Sequence, residues 1–158
     1  MSEQKPVVVL VHGAFAESAS WNGVIQQLQA QSIEALNAYP VATGGNELAI
    51  RPELFHHQFC ADVSVEQAAL MAATQRPVTQ TALTDALPTE KPAWTTIPSW
   101  FVISDQDLNI PVAAHRYFAE RAGSRGTREV AGGSHALSVS QPAAVAATIL
   151  EAVAAVAG

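Results

Sequence analysis

The chain has 158 residues, which fits one domain that is large enough to bury a core. With 49% hydrophobic residues, 14% charged residues and a mean hydropathy of +0.15, its composition is typical of a folded globular protein and excludes disorder. The formal net charge of −6 argues against a nucleic-acid partner. The single cysteine, Cys60, excludes an internal disulfide and a cysteine-based metal cluster.

The two ends of the chain predict no targeting or membrane segment. Residues 1–6 are polar and do not resemble a signal peptide. The most apolar stretch, residues 143–157, is too short to cross a bilayer and contains Glu151. We therefore expect a cytoplasmic protein with no membrane contact.

The first part of the chain predicts a βαβ unit. Residues 6–11 are an unbroken apolar run that favours a parallel strand buried on both faces. Residues 32–39 predict a second strand, which Pro40 ends, and Ser18 or Ser20 is the expected cap of the helix between the strands. The apolar residues of that helix recur at the spacing of one helical face, and they are Trp21, Val24, Ile25 and Leu28.

The middle of the chain predicts a helical segment. Residues 43–46, with the sequence TGGN, are the main break in composition and the best candidate for a joint. Residues 51–87 then follow a helical pattern, with a capping box from Ser64 to Gln67. We expect residues 46–97 to form a lid or crossover inserted between two halves of a sheet. Its first apolar stripe consists of Leu54, Phe55 and Phe59.

Strands and helices alternate again in the second half. The expected strands cover residues 99–104 and 127–131, and the expected helices run from Pro111 to Gly123 and onward from Pro142. This alternation predicts one α/β domain over residues 1–158, with three layers and a mostly parallel sheet of about four strands that has helices on both faces.

Polar residues suited to acyl-transfer chemistry follow three of the predicted strands. They lie in residues 12–15, 105–109 and 132–135. Loops after parallel strands emerge at one edge of the sheet, which is where ligands bind. A turn with free backbone N–H groups can stabilise an oxyanion, a carboxylate can orient a histidine, and the histidine can carry the proton.

Five sequence strings resemble the α/β-hydrolase family: LVHGAFAESASW, FHHQFCAD, AALMAATQRPV, IPSWFVISDQDLNIP and GGSHALSVSQP. The resemblance is strongest to its small bacterial esterase-like members, near the methylesterase and hydroxynitrile-lyase branch. It implies a reduced α/β-hydrolase fold and an ancestral hydrolysis of carboxylic esters, thioesters or lactones by a Ser-His-Asp mechanism. It implies no cofactor and no metal.

The first strand end matches the oxyanion turn of this family. His12 and Gly13 correspond to the turn, and the N–H of Ala14 or Phe15 corresponds to the donor. Without the surrounding string, the His-Gly pair would indicate only a strand-end turn with a surface histidine.

The resemblance also assigns an acid and a base. Asp107 matches the acid because it begins a D-x-x-x-P string that ends at Pro111, and His135 in Gly-Ser-His matches the base. Asp105 is the rival acid. Taken alone, Asp107 would be explained as a loop residue that helps to start the next helix.

The nucleophile of the family has no counterpart in this chain. Family members carry it on a G-x-S-x-G turn before the acid and the histidine. The nearest string places Ser134 directly beside His135, with no helix predicted immediately after it, so we do not expect it to be the nucleophile. We interpret the gap near residues 39–45 as an internal deletion, natural or engineered, of at least two βα units of about 30 residues each.

The remaining strands allow a new closure of the sheet. If the third strand pairs with the first, the strand order is 2-1-3-4, with a switch point between the first and third strands. His12 and Gly13 would then face Asp107, with His135 one strand away. Because a deletion exposes strand edges, we also expect a homodimer, formed by association of these edges or by exchange of a strand or a domain.

These observations predict weak hydrolysis of a small ester-like ligand, or none. His135 can deprotonate water directly, since a base and an oxyanion hole retain some catalysis without a nucleophile. The alternative is a non-catalytic module that binds a small molecule or forms a dimeric interface, as a pseudoenzyme or a deletion product. His56 and His57 are adjacent, lack partners at metal-ligand spacing and are expected to be surface residues.

Overall fold

The computed structural model describes residues 7–38 and 46–157, so the predicted joint at residues 43–45 and the end of the second strand lie outside the described residues. The strands are β1 (Val7–Val11), β2 (Glu34–Ala38), β3 (Glu47–Leu48), β4 (Val78–Thr79), β5 (Trp100–Ser104) and β6 (Gly126–Val130). The helices are α1 (Asn22–Ala30), α2 (Pro52–Phe59), α3 (Val65–Thr74), α4 (Gln80–Thr84), α5 (Val112–Arg121), α6 (Leu137–Ser140) and α7 (Pro142–Val156).

Two parallel strand pairs form the framework. β1 pairs with β2, with Val7 opposite Glu34, and α1 connects the two strands. β5 pairs with β6, with Trp100 opposite Gly126, and α5 connects them. Each pair is therefore a βαβ unit, and the predicted α/β class is confirmed.

The predicted continuous order 2-1-3-4 is wrong in one respect. Within the described residues, β1 is hydrogen-bonded to β2 alone and β5 to β6 alone, so the sheet consists of two halves. The halves are joined by side chains of α7, where Val145 and Ala146 pack with Val24 and Leu28 of α1 and with Val102 of β5. Apolar packing on one helix thus replaces the missing strand pairing.

The predicted burial of β1 on both faces is also wrong. Leu10 is 4% exposed, because its face of the strand lies against the core that α1 and α7 cover. The opposite face carries Val7, Val9 and Val11, which are 50%, 60% and 60% exposed. Helices therefore cover both faces of the β5–β6 half only, where Val102 faces α7 and Phe101 lines a cavity with Phe118 of α5. Within residues 7–38 and 46–157, no element covers this apolar face of the β1 half, which we call the bare face.

The helix termini confirm some of the predicted caps. The Ser64 hydroxyl accepts the N–H of Gln67 at 3.2 Å and caps α3 as expected. Neither Ser18 nor Ser20 caps α1, because both lie in a 3-10 turn before that helix, where the Ser20 hydroxyl donates to the carbonyl of Glu17 at 2.6 Å. The Ser20 side chain therefore stabilises the 3-10 turn and does not cap α1.

The second half follows the predicted bounds with one addition. Pro111 precedes α5 and Pro142 begins α7. Gly123 has a φ of +59° directly beyond α5, a conformation that favours glycine. The short helix α6 after His135 was not predicted from the sequence.

The helical segment over residues 46–97 has a core of its own. Phe55 and Phe59 of α2 are 1% and 3% exposed and pack with Cys60, with Ala68 of α3 and with Ala136 from the loop before α6. Since Ala136 directly follows His135, this core attaches the helical segment to the loop that carries the predicted base. The expected role of the segment as a lid or crossover stays a prediction.

Candidate active site

The predicted acid and base are in contact. Asp107 follows β5 and His135 follows β6, and His135 Nδ1 lies 2.7 Å from Asp107 Oδ2. The Asp107 side chain is 2% exposed and that of His135 is 28% exposed. Because the carboxylate accepts the proton on Nδ1, the Nε2 atom of His135 carries the free lone pair that a general base requires.

Two glycines shape the loop that carries His135. Gly132 has a φ of +75°, and its N–H donates to the Asp105 carboxylate at 2.7 Å. A Cβ atom on Gly133 would lie 2.6 Å from a methyl carbon of Leu137, so a side chain here would require Leu137 to shift. Asp105, the rival acid, therefore contacts the backbone of the histidine loop, whereas Asp107 contacts the histidine itself.

Four hydrogen bonds surround the Asp107 carboxylate. Its Oδ1 accepts the N–H groups of Asn109 at 2.7 Å and Ile110 at 2.9 Å, and its Oδ2 lies 2.9 Å from Nε2 of His115 as well as 2.7 Å from His135. Burial of the carboxyl acts to raise its pKa and is the largest single influence. The hydrogen bonds from His115, Ile110 and His135 together outweigh burial, so the pKa of Asp107 is lowered from its usual 3.8. The carboxylate is ionised at neutral pH.

The predicted oxyanion turn lines the same cavity as His135. This cavity has a volume of about 390 Å³, and His12, Gly13, Ala14 and Phe15 form part of its wall. Among the described residues, neither the Ala14 N–H nor the Phe15 N–H donates to a protein acceptor.

The strained residue of this turn is Phe15 and not Gly13. Phe15 has a φ of +61°, whereas Gly13 does not adopt a left-handed conformation and a Cβ atom there would meet nothing within 4 Å. A left-handed residue other than glycine costs about 1–2 kcal/mol. Such strain concentrates at functional sites, which supports a role for this turn.

The helical segment forms the apolar wall of the cavity. Phe59, Leu70 and Met71 contribute this wall, and the Phe59 ring packs on the His135 imidazole with 4.9 Å between the ring centroids. Next to Phe59, the Gln58 amide donates to Asn109 Oδ1 at 3.1 Å, and the Asn109 amide donates back to the Gln58 carbonyl at 3.0 Å. α2 therefore contacts both the acid loop and the base.

Among the described residues, the His135 imidazole forms its side-chain hydrogen bond with Asp107, and no serine or cysteine is hydrogen-bonded to it. Ser134 is 2% exposed, and its hydroxyl donates to the Asp62 carboxylate. Burial, followed by the nearby charge of Asp62, raises the pKa of the Cys60 thiol to about 11, so this thiol is protonated and unreactive. Ser138 lines the cavity without bonding to the histidine.

Residues 7–38 and 46–157 contain neither a metal-binding cluster nor a membrane-spanning helix. No group of three or more potential ligands is close enough to hold an ion in this part of the chain. His56 Nε2 lies 3.0 Å from the Val63 carbonyl, while His57 is exposed on the surface of α2. No helix in the described ranges has both the length and the apolar composition that a membrane span requires.

Comparison with known proteins identifies the family. The model of the alpha/beta hydrolase family matches residues 28–148, and the chain belongs to this family. A comparison with curated protein sequences finds no match.

Solved structures share the fold at low sequence identity. A methylesterase from Arabidopsis is 16% identical with a TM-score of 0.63, and the alignment covers 99% of this chain and 72% of that one. A variant of methylketone synthase I from tomato is 10% identical with a TM-score of 0.74, covering 96% and 99% of the two chains. A pyrethroid hydrolase from Sphingobium faniae JZ-2 is 14% identical with a TM-score of 0.63, covering 98% and 99%. These identities establish the fold alone.

Proposed function

We propose that this protein is a reduced α/β-hydrolase that retains an acid, a base and an oxyanion turn but lacks the nucleophilic serine. In this form it hydrolyses small activated carboxylic esters, thioesters or lactones slowly. The observation that carries the proposal is the 2.7 Å hydrogen bond between His135 Nδ1 and Asp107 Oδ2 beside the cavity of about 390 Å³. A cavity of this size suits a small ligand. Family membership and the fold of the esterase neighbours support the reaction class.

The reaction begins with a water molecule bound at His135 Nε2. The imidazole takes a proton from this water as its oxygen attacks the carbonyl carbon, and the Ala14 and Phe15 N–H groups donate to the oxyanion that forms. Asp107 stabilises the imidazolium. When the tetrahedral intermediate collapses, the bond to the leaving alkoxide or thiolate breaks and that group receives the proton from His135. The products are the carboxylic acid and the alcohol or thiol.

The proposal is tested by hydrolysis of p-nitrophenyl acetate by the wild type and by His135→Ala. We expect the wild type to hydrolyse the ester faster than buffer alone. In the variant, the rate above the buffer rate should fall about 100-fold, because general acid–base catalysis contributes about that factor. His57→Ala is the matched control, since His57 is an exposed histidine on α2 that reports imidazole chemistry unrelated to the site. Equal rates for the wild type and His135→Ala would contradict the proposal. Labelling of one serine by a serine-directed phosphonate would show that a nucleophile is present after all.

The bare face of β1 supports a second candidate function, a dimeric interaction module. We propose that a second copy of this chain covers Val7, Val9 and Val11, either by stacking on this face or by exchange of a strand. Each of these valines is at least half exposed, although they lie on one strand face that consists of apolar residues alone. Covering them in a dimer removes this face from water.

Light scattering tests the dimer. We expect a mass of twice the 16.6 kDa of the chain for the wild type and a monomer for Val9→Lys, which places a charge in the middle of the bare face. Val65→Lys is the matched control, because Val65 is 65% exposed on α3 and should leave the mass unchanged. A monomeric wild type would contradict this second proposal and would leave the first untouched.

A further inference from the structure

His115 is a second histidine that contacts the candidate acid, Asp107. Its Nε2 lies 2.9 Å from Asp107 Oδ2, the same oxygen that lies 2.7 Å from His135 Nδ1. The His115 side chain is 19% exposed, so this contact is shielded from solvent. Since α5 begins just after the acid loop, its first turn brings His115 back to the carboxylate eight residues further along the chain. No feature of the sequence motifs had indicated this histidine.

We infer that His115 is a positioning residue that holds the Asp107 carboxylate in the orientation needed by His135. This inference rests on the proposed function, because it assigns a role within the same acid–base pair. It adds a residue that belongs to neither the matched family strings nor the predicted acid–base pair.

The division of donors between the two carboxylate oxygens supports this role. Oδ1 receives backbone N–H groups from Asn109 and Ile110, which belong to the acid's own loop and move with it. The donors on Oδ2 come from two other elements, α5 and the loop after β6. His115 therefore fixes the second oxygen relative to a helix and prevents the carboxylate from turning about its Oδ1 anchor.

α5 is itself tied to the strand that leads to the base. Arg116, the residue after His115, forms two hydrogen bonds with the Glu129 carboxylate of β6, at 2.9 Å and 2.5 Å. β6 continues into the loop that carries His135. Three connected elements thus carry Asp107, His115 and His135. A shift of His115 would change the distance between Asp107 and His135.

The shared oxygen also specifies the proton positions. A carboxylate oxygen accepts hydrogen bonds, so both His115 Nε2 and His135 Nδ1 must carry a hydrogen. His115 lines a second cavity of about 320 Å³ together with Asp107 and His135, but it does not line the cavity that contains the oxyanion turn. It acts through the carboxylate and not on the substrate.

The test compares His115→Gln with His115→Asn. The amide nitrogen of glutamine reaches nearly the position of Nε2 and can donate to Oδ2, whereas the shorter asparagine has the same polarity but cannot reach it. We expect the Asn variant to lower kcat about tenfold at unchanged KM for the activated ester, and the Gln variant to stay within about twofold of the wild type.

A readout without turnover separates this inference from the proposed function. The proton on His135 Nδ1 gives a downfield NMR signal when it is held by the carboxylate, and we expect this signal in the wild type and in His115→Gln but not in His115→Asn. An unchanged signal in the Asn variant overturns the positioning role. If the wild type does not hydrolyse the ester, the proposed function fails, while the NMR comparison still decides whether His115 orders the Asp107–His135 pair.

Discussion

An Asp107→Ala variant is expected to lose about 3 kcal/mol of free energy of unfolding near neutral pH. The carboxylate is almost fully buried and accepts four hydrogen bonds, two from backbone N–H groups and two from imidazoles. Alanine leaves all four donors without their acceptor inside a shielded site. Urea denaturation followed by circular dichroism measures the change.

Asp105→Ala is the matched control for this prediction. Asp105 occupies the same loop and accepts one hydrogen bond, from the Gly132 N–H. We expect its loss to cost about 1 kcal/mol. If the two alanine variants were equally stable, the network around Asp107 would contribute no more than a single hydrogen bond.

The ionisation of Asp107 also makes the free energy of unfolding depend on pH. Because the pKa of Asp107 is lowered in the folded protein, the ionised form stabilises the fold at pH values above its ordinary pKa of 3.8, and this stabilisation is lost as the pH falls through the folded value. Between about pH 5 and about pH 2, the wild type should therefore lose more stability than Asp107→Ala. Parallel stability curves for the two proteins would contradict the lowered pKa.

A Phe55→Ala variant is expected to lose about 4 kcal/mol of free energy of unfolding. Phe55 is 1% exposed in the core of the helical segment, and its ring centroid lies 4.9 Å from that of Phe59. Removal of the ring leaves a cavity next to the ring that packs on His135. We therefore expect ester hydrolysis to fall together with stability.

Leu54→Ala is the control for the core variant. Leu54 precedes Phe55 on α2 but is 38% exposed, so its truncation should change the free energy of unfolding by about 0.5 kcal/mol or less. Thermal unfolding of the two variants measures the difference. Similar melting temperatures would show that the helical segment contributes no separate core.

Local patterns were sufficient to predict most of the elements. Unbroken apolar runs identified β1 and β5, and the positions of Pro111, Gly123 and Pro142 indicated where α5 and α7 begin or end. The proline and glycine signals are local, because one or two residues determine the backbone conformation at a helix end. The Ser64 cap was predictable for the same reason, since its acceptor lies three residues from its donor.

Long-range features were less predictable. The sequence did not indicate that α7 would join the two half-sheets by packing, because hydrophobic periodicity indicates a buried face but not its partner. It assigned the oxyanion turn to His12 and Gly13 but did not indicate that Phe15 adopts a left-handed conformation. The Asp107–His135 contact followed from motif resemblance, but His115 carries no motif and becomes visible only when α5 is placed against the acid loop.

The position of α7 in the chain has a consequence for how the protein is made. Both βαβ units are synthesised before residues 142–156, yet it is this helix that packs against α1, β5 and β6. Until α7 has left the ribosome, the helix that packs on both units is missing, and we expect part of their apolar surface to stay open to chaperones or to other nascent chains. We therefore expect the two units to dock fully only after α7 has been translated.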